Sequence, residues 1–271
     1  MAELVSVIVP TRNSAETIGE CVRSIRNQSY DAIELIVVDN ASSDATPEIA
    51  AEAADTVIDV GPERSAQRNA GARASRGAYL VFIDSDMVLR TDVVRDCVAN
   101  AEAGADAVVI PEVSFGDGLW ARCKALERSC YHGDDTIEAA RFFKREIFFA
   151  VGGYDEAIPF GPEDWDIHQR VKAVAGQLGR SEAMIDHDEG ELTFRELLAR
   201  KYYYGKSTER YIRKHGLIAR RQLTVLRPAF VRHWRRLAHD PLTAAAMLLM
   251  KACELGAGAA GLIMARVRAP G

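Results

Sequence analysis

The first third of the chain alternates short unbroken apolar runs with stretches of helical periodicity. Val5-Ser6-Val7-Ile8-Val9, closed by Pro10, reads as a buried strand. Ile18, Cys21, Val22 and Ile25 then fall on one face of a helix, and Asn13 with Glu16 three residues on reads as its capping box. Ile33 to Val38 gives a second strand ending at Asp39, and Thr46 caps a helix with Pro47 in its first turn. Thr56 to Val60 is a third strand, an Ala-rich helix reaches about residue 74, and Tyr79 to Ile83 is a fourth strand. Strands without polar alternation, separated by helices, build a mainly parallel sheet covered on both faces. The fold class is α/β.

Past residue 110 the pattern loosens. It predicts a helix over Leu119–Tyr131, a strand at Arg141–Lys144, a Gly152-Gly153 turn, a helix from Glu163 to Ala175 and a strand ending near His187. Thr193 and Glu196 form a second capping box, opening a long basic helix that carries Tyr202, Tyr203 and Tyr204. The segment from Pro241 to Ala265 is apolar and rich in Ala and Gly, but Lys251 and Glu254 interrupt it. The uncharged stretch after them, Leu255–Ala265, is too short to cross a bilayer core of roughly 30 Å. That segment therefore reads as a buried hairpin, a dimer face or an interfacial helix.

Composition sharpens this picture in three ways. With 271 residues, 48% apolar and 27% charged, the chain can bury a sizeable core, which excludes a disordered or disulfide-stapled mini-fold. Its five cysteines include no CxxC pair, and Met-Ala-Glu-Leu has neither a basic segment nor a long apolar run, so no secretory leader and a reducing cytoplasmic setting are expected. The net charge of −5 is unevenly spread: residues 1–189 carry 18 Lys/Arg against 34 Asp/Glu, and residues 190–240 carry 13 against 4. Such a basic region meets an anionic partner, docks on the acidic body or is simply solvated. It contains no recognised nucleic-acid-reading motif, so no nucleic acid is expected.

In an open parallel sheet, ligands bind beyond the carboxyl ends of the strands. Those ends carry Pro10-Thr11-Arg12-Asn13, then Asp39-Asn40, then Asp84-Ser85-Asp86. Two carboxylates two residues apart after a buried strand suit a hard divalent cation such as Mg²⁺ or Mn²⁺, which bridges carboxylate to diphosphate. A second acidic pair, Glu163-Asp164, opens a helix, where the dipole favours negative charge and where an ionised carboxylate can act as a general base.

Together these residues resemble glycosyltransferase family 2, whose members share the GT-A fold. The matching pieces are Val5–Asn13, Glu34–Asp44, Arg68-Asn69-Ala70-Gly71, Gly77–Asp86, Gly152-Gly153-Tyr154-Asp155-Glu156 and Glu163-Asp164-Trp165-Asp166, within roughly residues 4–190. The resemblance implies a Rossmann-like, mainly parallel central sheet with flanking helices and a C-terminal helical appendage. It implies a nucleotide-sugar-binding half at 1–110, an acceptor-side half at 111–192 and a basic and apolar helical region at 193–271. A UDP-, GDP- or dTDP-linked donor would be held by Pro10, Thr11, Arg12, Asn13, Asp39, Arg68, Asn69, Asp84 and Ser85. Asp86, Asp84 and His187 would hold Mn²⁺ or Mg²⁺, Asp164 would be the catalytic base of an inverting displacement, and Glu163 and Trp165 would lie on the acceptor side. Trp120 and Tyr202–Tyr204 are further candidates for stacking on a sugar. The implied acceptor is a cell-envelope glycan or lipid-linked saccharide, met at an anionic membrane surface through residues 195–265 on the inner face of the cell membrane, with a homodimer also envisaged. Against a nucleotidyltransferase, no Gly-rich basic loop follows the first strand; against a non-catalytic binding or scaffold protein, Asp84, Asp86, Glu163 and Asp164 occur together.

Overall fold

The computed structural model describes residues 2–158 and 160–268. The chain opens with β1 (Val5–Thr11), α1 (Ile18–Arg26), β2 (Ile33–Asp39), α2 (Thr46–Ala51), β3 (Thr56–Asp59), α3 (Arg64–Ala74) and β4 (Tyr79–Phe82). It continues through β5 (Met87–Leu89), α4 (Val93–Glu102), β6 (Ala107–Val109), β7 (Glu112–Asp117), α5 (Gly118–Ser129), β8 (Ala140–Lys144) and α6 (Arg145–Ala150). Then follow α7 (Glu163–Val174), β9 (Leu178–Arg180), β10 (Ile185–Glu191), α8 (Phe194–Gly205) and α9 (Thr208–Gln222). The last three helices are α10 (Pro228–Arg232), α11 (Trp234–His239) and α12 (Pro241–Arg268).

Two compact units result: Met1–Glu112 with Ala139–Pro159 and Glu163–His187, and Val113–Glu138 with Phe160–Pro162 and Asp188–Gly271. The division departs from the sequence boundaries at 110 and 192, because α5 shares a core with the C-terminal helices.

In the first unit seven strands lie in the order β3-β2-β1-β4-β8-β6-β9. β8 runs antiparallel to β4 and β6, and the β1, β2, β3 and β4 pairings are parallel. Strand periodicity splits β1 between two cores. Val5, Val7 and Val9 pack with Ile18, Cys21, Val22 and Ile25 of α1, while Ile8 packs with Val38, Phe82 and Ala72 on the opposite face. Complete burial of such side chains contributes about 1.5–3 kcal/mol each, which is why the runs are apolar without alternation. Parallel β1, β2 and β4 all end at the same edge, so Thr11, Asp39 and the residues after Phe82 are neighbours there.

The helix starts reveal two local corrections, one at α1 and one at α2, where Thr46 is the first helical residue, the N-cap is Ala45 and no side chain caps the helix. α1 begins at Ile18, and its N-cap Thr17 makes no side-chain cap bond. Asn13 is not a cap: it adopts a left-handed φ of 48°, and its Oδ1 accepts from the Ser43 backbone N–H at 2.8 Å. The Thr193–Glu196 capping box forms as expected, with both reciprocal bonds present.

The second unit is built on α5 and α8–α12. Cys123, Cys130 and Tyr131 pack with Leu197, Phe230, Met247 and Met250. Among these apolar contacts sits a ring of alternating charge. Lys124 meets Glu127 at 3.2 Å and Glu254 at 2.7 Å, and Lys251 meets Glu127 at 2.8 Å and Glu254 at 2.9 Å. Lys201 lies 4.0 Å from Glu254, and burial together with the neighbouring Lys124 pushes its pKa down to about 7. Of the three readings of 241–265, the hairpin is not formed: the segment is one unbroken helix, in which Lys251 and Glu254 find their partners on α5 without any chain reversal. α12 also lies backbone-to-backbone on α8, with Gly205 against Gly258 and Gly261 against Tyr202.

That close approach generates a test. A methyl at Gly205 would run into the Gly258 carbonyl, which has no flexible side chain to yield. Gly205→Ala is expected to lower stability by about 1–3 kcal/mol in thermal or urea melts. Gly256→Ala, where the space is open, should cost nothing and gain helix propensity.

Candidate active site

Three elements converge beyond the sheet edge because of one close contact. Gly71 of α3 packs on Ile8 and Val38, where a Cβ would collide with Ile8. With α3 pressed onto the sheet, Arg68 one turn earlier is carried over the strand ends and loses all solvent exposure.

Arg68 is half of a second alternating ring. Its two terminal nitrogens each donate at 2.7 Å, one to Asp164 Oδ1 at the start of α7 and one to Asp84 Oδ1 after β4. Arg141 approaches the other oxygen of each carboxylate, Asp84 Oδ2 at 3.5 Å and Asp164 Oδ2 at 3.8 Å. Arg141 gets there through an irregularity: the β6–β8 register shifts between Val108 and Val109, leaving Arg141 between the pairs Val108–Phe142 and Val109–Ala140. Such bulges re-aim a side chain. Burial alone would raise the Asp84 pKa, but the Arg68, Arg64 and Arg141 guanidiniums overcome it and hold the carboxyl well below the usual range. Arg68 also lies over the Tyr154 ring, 4.9 Å from its centroid.

A third arm leaves the ring through Arg141. Its Nε donates to Glu112 Oε1 at 2.7 Å, and Glu112 Oε2 stands 3.3 Å from His187 Nδ1. The other imidazole nitrogen of His187 lies 3.4 Å from Asp86 Oδ2. The β5–β10 ladder creates this meeting, since it pairs His187 with Met87, the residue after Asp86.

Asp86 and His187 fit a divalent cation. Asp86 Oδ1 is buried without a hydrogen-bond partner among the described residues. A carboxylate at Nδ1 is the arrangement that turns Nε2 of a histidine toward a metal. Among the described residues no group of three or more His, Cys, Asp and Glu side chains is arranged to hold an ion. Two protein ligands match the habit of Mg²⁺ and Mn²⁺ of completing their shell with water and phosphate. Asp84, expected in the same ligand set, is also engaged by the arginine ring, whose two guanidiniums at 0% and 8% side-chain exposure have little water to turn to.

The remaining expected residues fall as follows. Pro10 and Thr11 are the last residues of β1, not a loop, and Thr11 Oγ1 is buried without a partner among the described residues. Arg12 and Asn13 are exposed. Asp39 is buried, its Oδ2 and Oδ1 accepting from the Ser42 N–H at 2.8 Å and the Ser42 hydroxyl at 2.5 Å. Ser85 Oγ lies 3.0 Å from Ser14 Oγ, tying the β4 end to the β1 end. Asn69, expected near the donor, uses its amide on the Gly152–Glu156 turn: Nδ2 donates to Tyr154 O and Glu156 Oε1, and Oδ1 accepts from Tyr154 N–H, all at 2.9 Å. It thereby fixes Tyr154 under Arg68. Trp165 is half-buried. Trp120 stacks on Phe194 and Tyr203 on Phe160, with centroids 4.5 and 4.0 Å apart, so these aromatics serve packing within the second unit.

Glu112 and Arg141 escaped the sequence reading. Arg141 carried one signal, a cation interrupting an otherwise apolar strand run, but a one-residue bulge leaves no trace in periodicity.

Glu163 provides the pH-sensitive feature. It is 2% exposed, its Oε1 lies 3.5 Å from Arg64 and Arg68, and its Oε2 has no hydrogen-bond partner among the described residues. Burial first, then neighbouring Asp164, raises its pKa to about 7. The folded state thus keeps a proton that the unfolded chain releases near 4.5, so this group's contribution to stability falls as pH rises from about 4.5 to about 7. Glu163→Gln is expected to match the parent at pH 4.5 and to exceed it by up to about 3 kcal/mol at pH 8 in denaturant melts.

Residues 6–154 match the model of glycosyl transferase family 2. The succinoglycan biosynthesis protein ExoO of Rhizobium meliloti is 32% identical over 111 residues, 39% of this chain and 32% of that protein. The pre-mycofactocin glycosyltransferase of Mycobacterium tuberculosis is 28% identical over 226 residues, 75% of this chain and 46% of that protein. The matches thus span about a third to a half of the length of these curated relatives. In fold, the chain is similar to the mannosyltransferase PcManGT of Pyrobaculum calidifontis, solved with GDP-Man and Mn²⁺. The TM-score is 0.60 at 21% identity, covering 100% of this chain and 77% of that one. By the extent of the family match and its GT-A-like sheet, the chain belongs to glycosyl transferase family 2.

Proposed function

We propose that the protein transfers a sugar from a nucleotide-sugar to an acceptor hydroxyl with inversion at the anomeric carbon. The observation that carries this reading is the Arg68–Arg141 ring, which sets the carboxylate of Asp164 beside that of Asp84, two residues from Asp86. A carboxylate that takes a proton and a carboxylate–imidazole pair that holds a cation then share one strand edge. Family membership and the fold shared with a GDP-Man- and Mn²⁺-bound mannosyltransferase support it.

In this proposal the donor nucleotide occupies the edge formed by Pro10–Asn13, Asp39 and Ser85. Asp86 and His187 hold Mn²⁺ or Mg²⁺, which when bound neutralises charge on the departing nucleoside diphosphate. Glu112 fixes the orientation of His187, and Arg141 fixes Glu112. Asp164, at 22% side-chain exposure the more open carboxylate of the ring, accepts the acceptor hydroxyl's proton. That oxygen forms its bond to the anomeric carbon as the bond to the diphosphate breaks, and the electron pair leaves with the phosphate oxygen. One displacement needs one base, and it inverts. Glu163 and Trp165 border the acceptor. The acceptor belongs to cell-envelope polysaccharide or glycolipid assembly, in the cytoplasm at an anionic membrane face met by residues 195–265. Succinoglycan assembly in one relative's name supports the polysaccharide class.

Thermal-shift screening of UDP-, GDP- and dTDP-sugars with Mn²⁺ identifies the donor through ligand-linked stabilisation. Asp164→Asn is expected to lose about 10²–10⁴-fold in turnover while calorimetric donor affinity persists. Unchanged turnover removes Asp164 from the role. Asp86→Ala should weaken Mn²⁺ and donor binding together, and Glu112→Gln should weaken Mn²⁺ affinity about 10–100-fold without touching a ligand directly.

A further inference from the structure

α12 is inverted relative to an ordinary surface helix. Its two mid-helix charges face inward: Lys251 and Glu254 are 5% and 3% exposed and close the ring with Lys124 and Glu127 of α5. Its outward positions recur every three or four residues and are apolar from Leu242 to Ile263, with Arg266, paired to Glu209, beside Val267 at the far end. Leu242, Leu249, Ile263 and Val267 are 84%, 59%, 59% and 74% exposed, with alanine or glycine outward at 245, 252, 256 and 259. At 1.5 Å per residue this stripe is roughly 38 Å long.

The chain just before it is cationic and also exposes large apolar groups. No Asp or Glu occurs from residue 210 to residue 239. Arg220, Arg221, Arg232, Arg235 and Arg236 are exposed there. Leu217, Leu226, Val231 and Trp234 are 75%, 74%, 75% and 59% exposed, and Arg235 lies 5.9 Å from the Trp234 ring centroid. Exposed apolar side chains interleaved with arginine, and a tryptophan among them, match the chemistry of a headgroup region.

We infer that residues 217–242 and the outward stripe of α12 form a monotopic docking surface for an anionic lipid bilayer, on which α12 lies in the plane of the interface. This deepens the membrane part of the proposal above and is independent of its site chemistry. Length and composition, 27 residues containing an 18-residue window of mean hydropathy 1.5, would also allow α12 to cross a membrane. Crossing would pull Lys251 and Glu254 into hydrocarbon and strand Lys124 and Glu127, whereas lying flat keeps the ring closed and buries only the apolar stripe. A second copy is the other occupant a long apolar stripe admits. Pairing two such surfaces would set arginine-rich segments side by side, while anionic headgroups neutralise them.

The test uses the full chain with vesicles of phosphatidylcholine, alone or with 30% phosphatidylglycerol. The protein is expected to float with the anionic vesicles, to bind at least about tenfold less to the neutral ones or at 0.5 M salt, and to be released by alkaline carbonate. Tryptophan emission should shift to the blue on binding, and the shift should be absent in Trp234→Phe, which keeps Trp120 and Trp165. Leu249→Glu with Ile263→Glu changes two outward positions and should cut vesicle binding at least about tenfold, while Mn²⁺-nucleotide affinity stays at the parent value. Absence of flotation, equal flotation of the double variant, or retention after carbonate overturns the inference. So does a concentration-dependent dimer that the same double variant disperses without any vesicle binding. Lost flotation with intact nucleotide binding defeats this inference alone; lost nucleotide binding with intact flotation defeats the transferase reading alone.

Discussion

A guanidinium with no water must be surrounded by carboxylates, and Arg68 is such a group. Its neighbours are dictated by that need: Asp84 from the end of β4, Asp164 from the start of α7, and Arg141 from β8 to share both. Deleting one member would leave an uncompensated buried charge, at a cost of roughly 3–5 kcal/mol. The ring therefore binds four segments, α3, the end of β4, β8 and the start of α7, into one arrangement. It depends in turn on Gly71, whose missing side chain lets α3 descend onto Ile8 and Val38.

Each unit contains a four-charge alternating ring, and the two differ in ways that separate support from chemistry. In the second unit two lysines and two glutamates lie among apolar helices, with Tyr131 donating to Glu127 at 2.8 Å. Its product is the fixed seat of α12. In the first unit the cations are arginines, whose planar forks bridge two carboxylates at defined angles where an ammonium would act as a point charge. Near that ring Thr11 Oγ1, Asp86 Oδ1, Tyr154 Oη and Glu163 Oε2 lack hydrogen-bond partners among the described residues, as Arg227 Nε and Glu254 Oε1 do in the second unit. Buried polar groups are ordinarily satisfied, so each such atom is an exception.

What the sequence displays and what it hides follow from range. β1, β2 and β4 announce themselves because complete burial on both faces demands unbroken apolar runs, and the Thr193–Glu196 cap because it closes over three residues. The pair at 84 and 86 is visible as a pattern, but its division of labour is not. Asp84 goes to arginines 16 and 57 residues away in sequence, whereas Asp86 goes to His187 through the ladder beside Met87. Asn13 has the spacing of a cap and spends its amide on Ser43, 30 residues on. Asn69 has the look of a ligand-binding amide and spends it on Tyr154. At Asn13 a long-range partner outcompetes the local one that spacing suggests.

The arginine ring also explains the proton that Glu163 keeps at the start of α7. The ring's two guanidiniums are already matched by Asp84 and Asp164, and Glu163 finds only the distant approach of Arg68 and of Arg64, whose side chain is 38% exposed. A third negative charge there has neither water nor a full partner, so Glu163 retains its proton into the neutral range. The geometry that buries Arg68 against Asp84 and Asp164 is thus also what leaves Glu163 without a full partner.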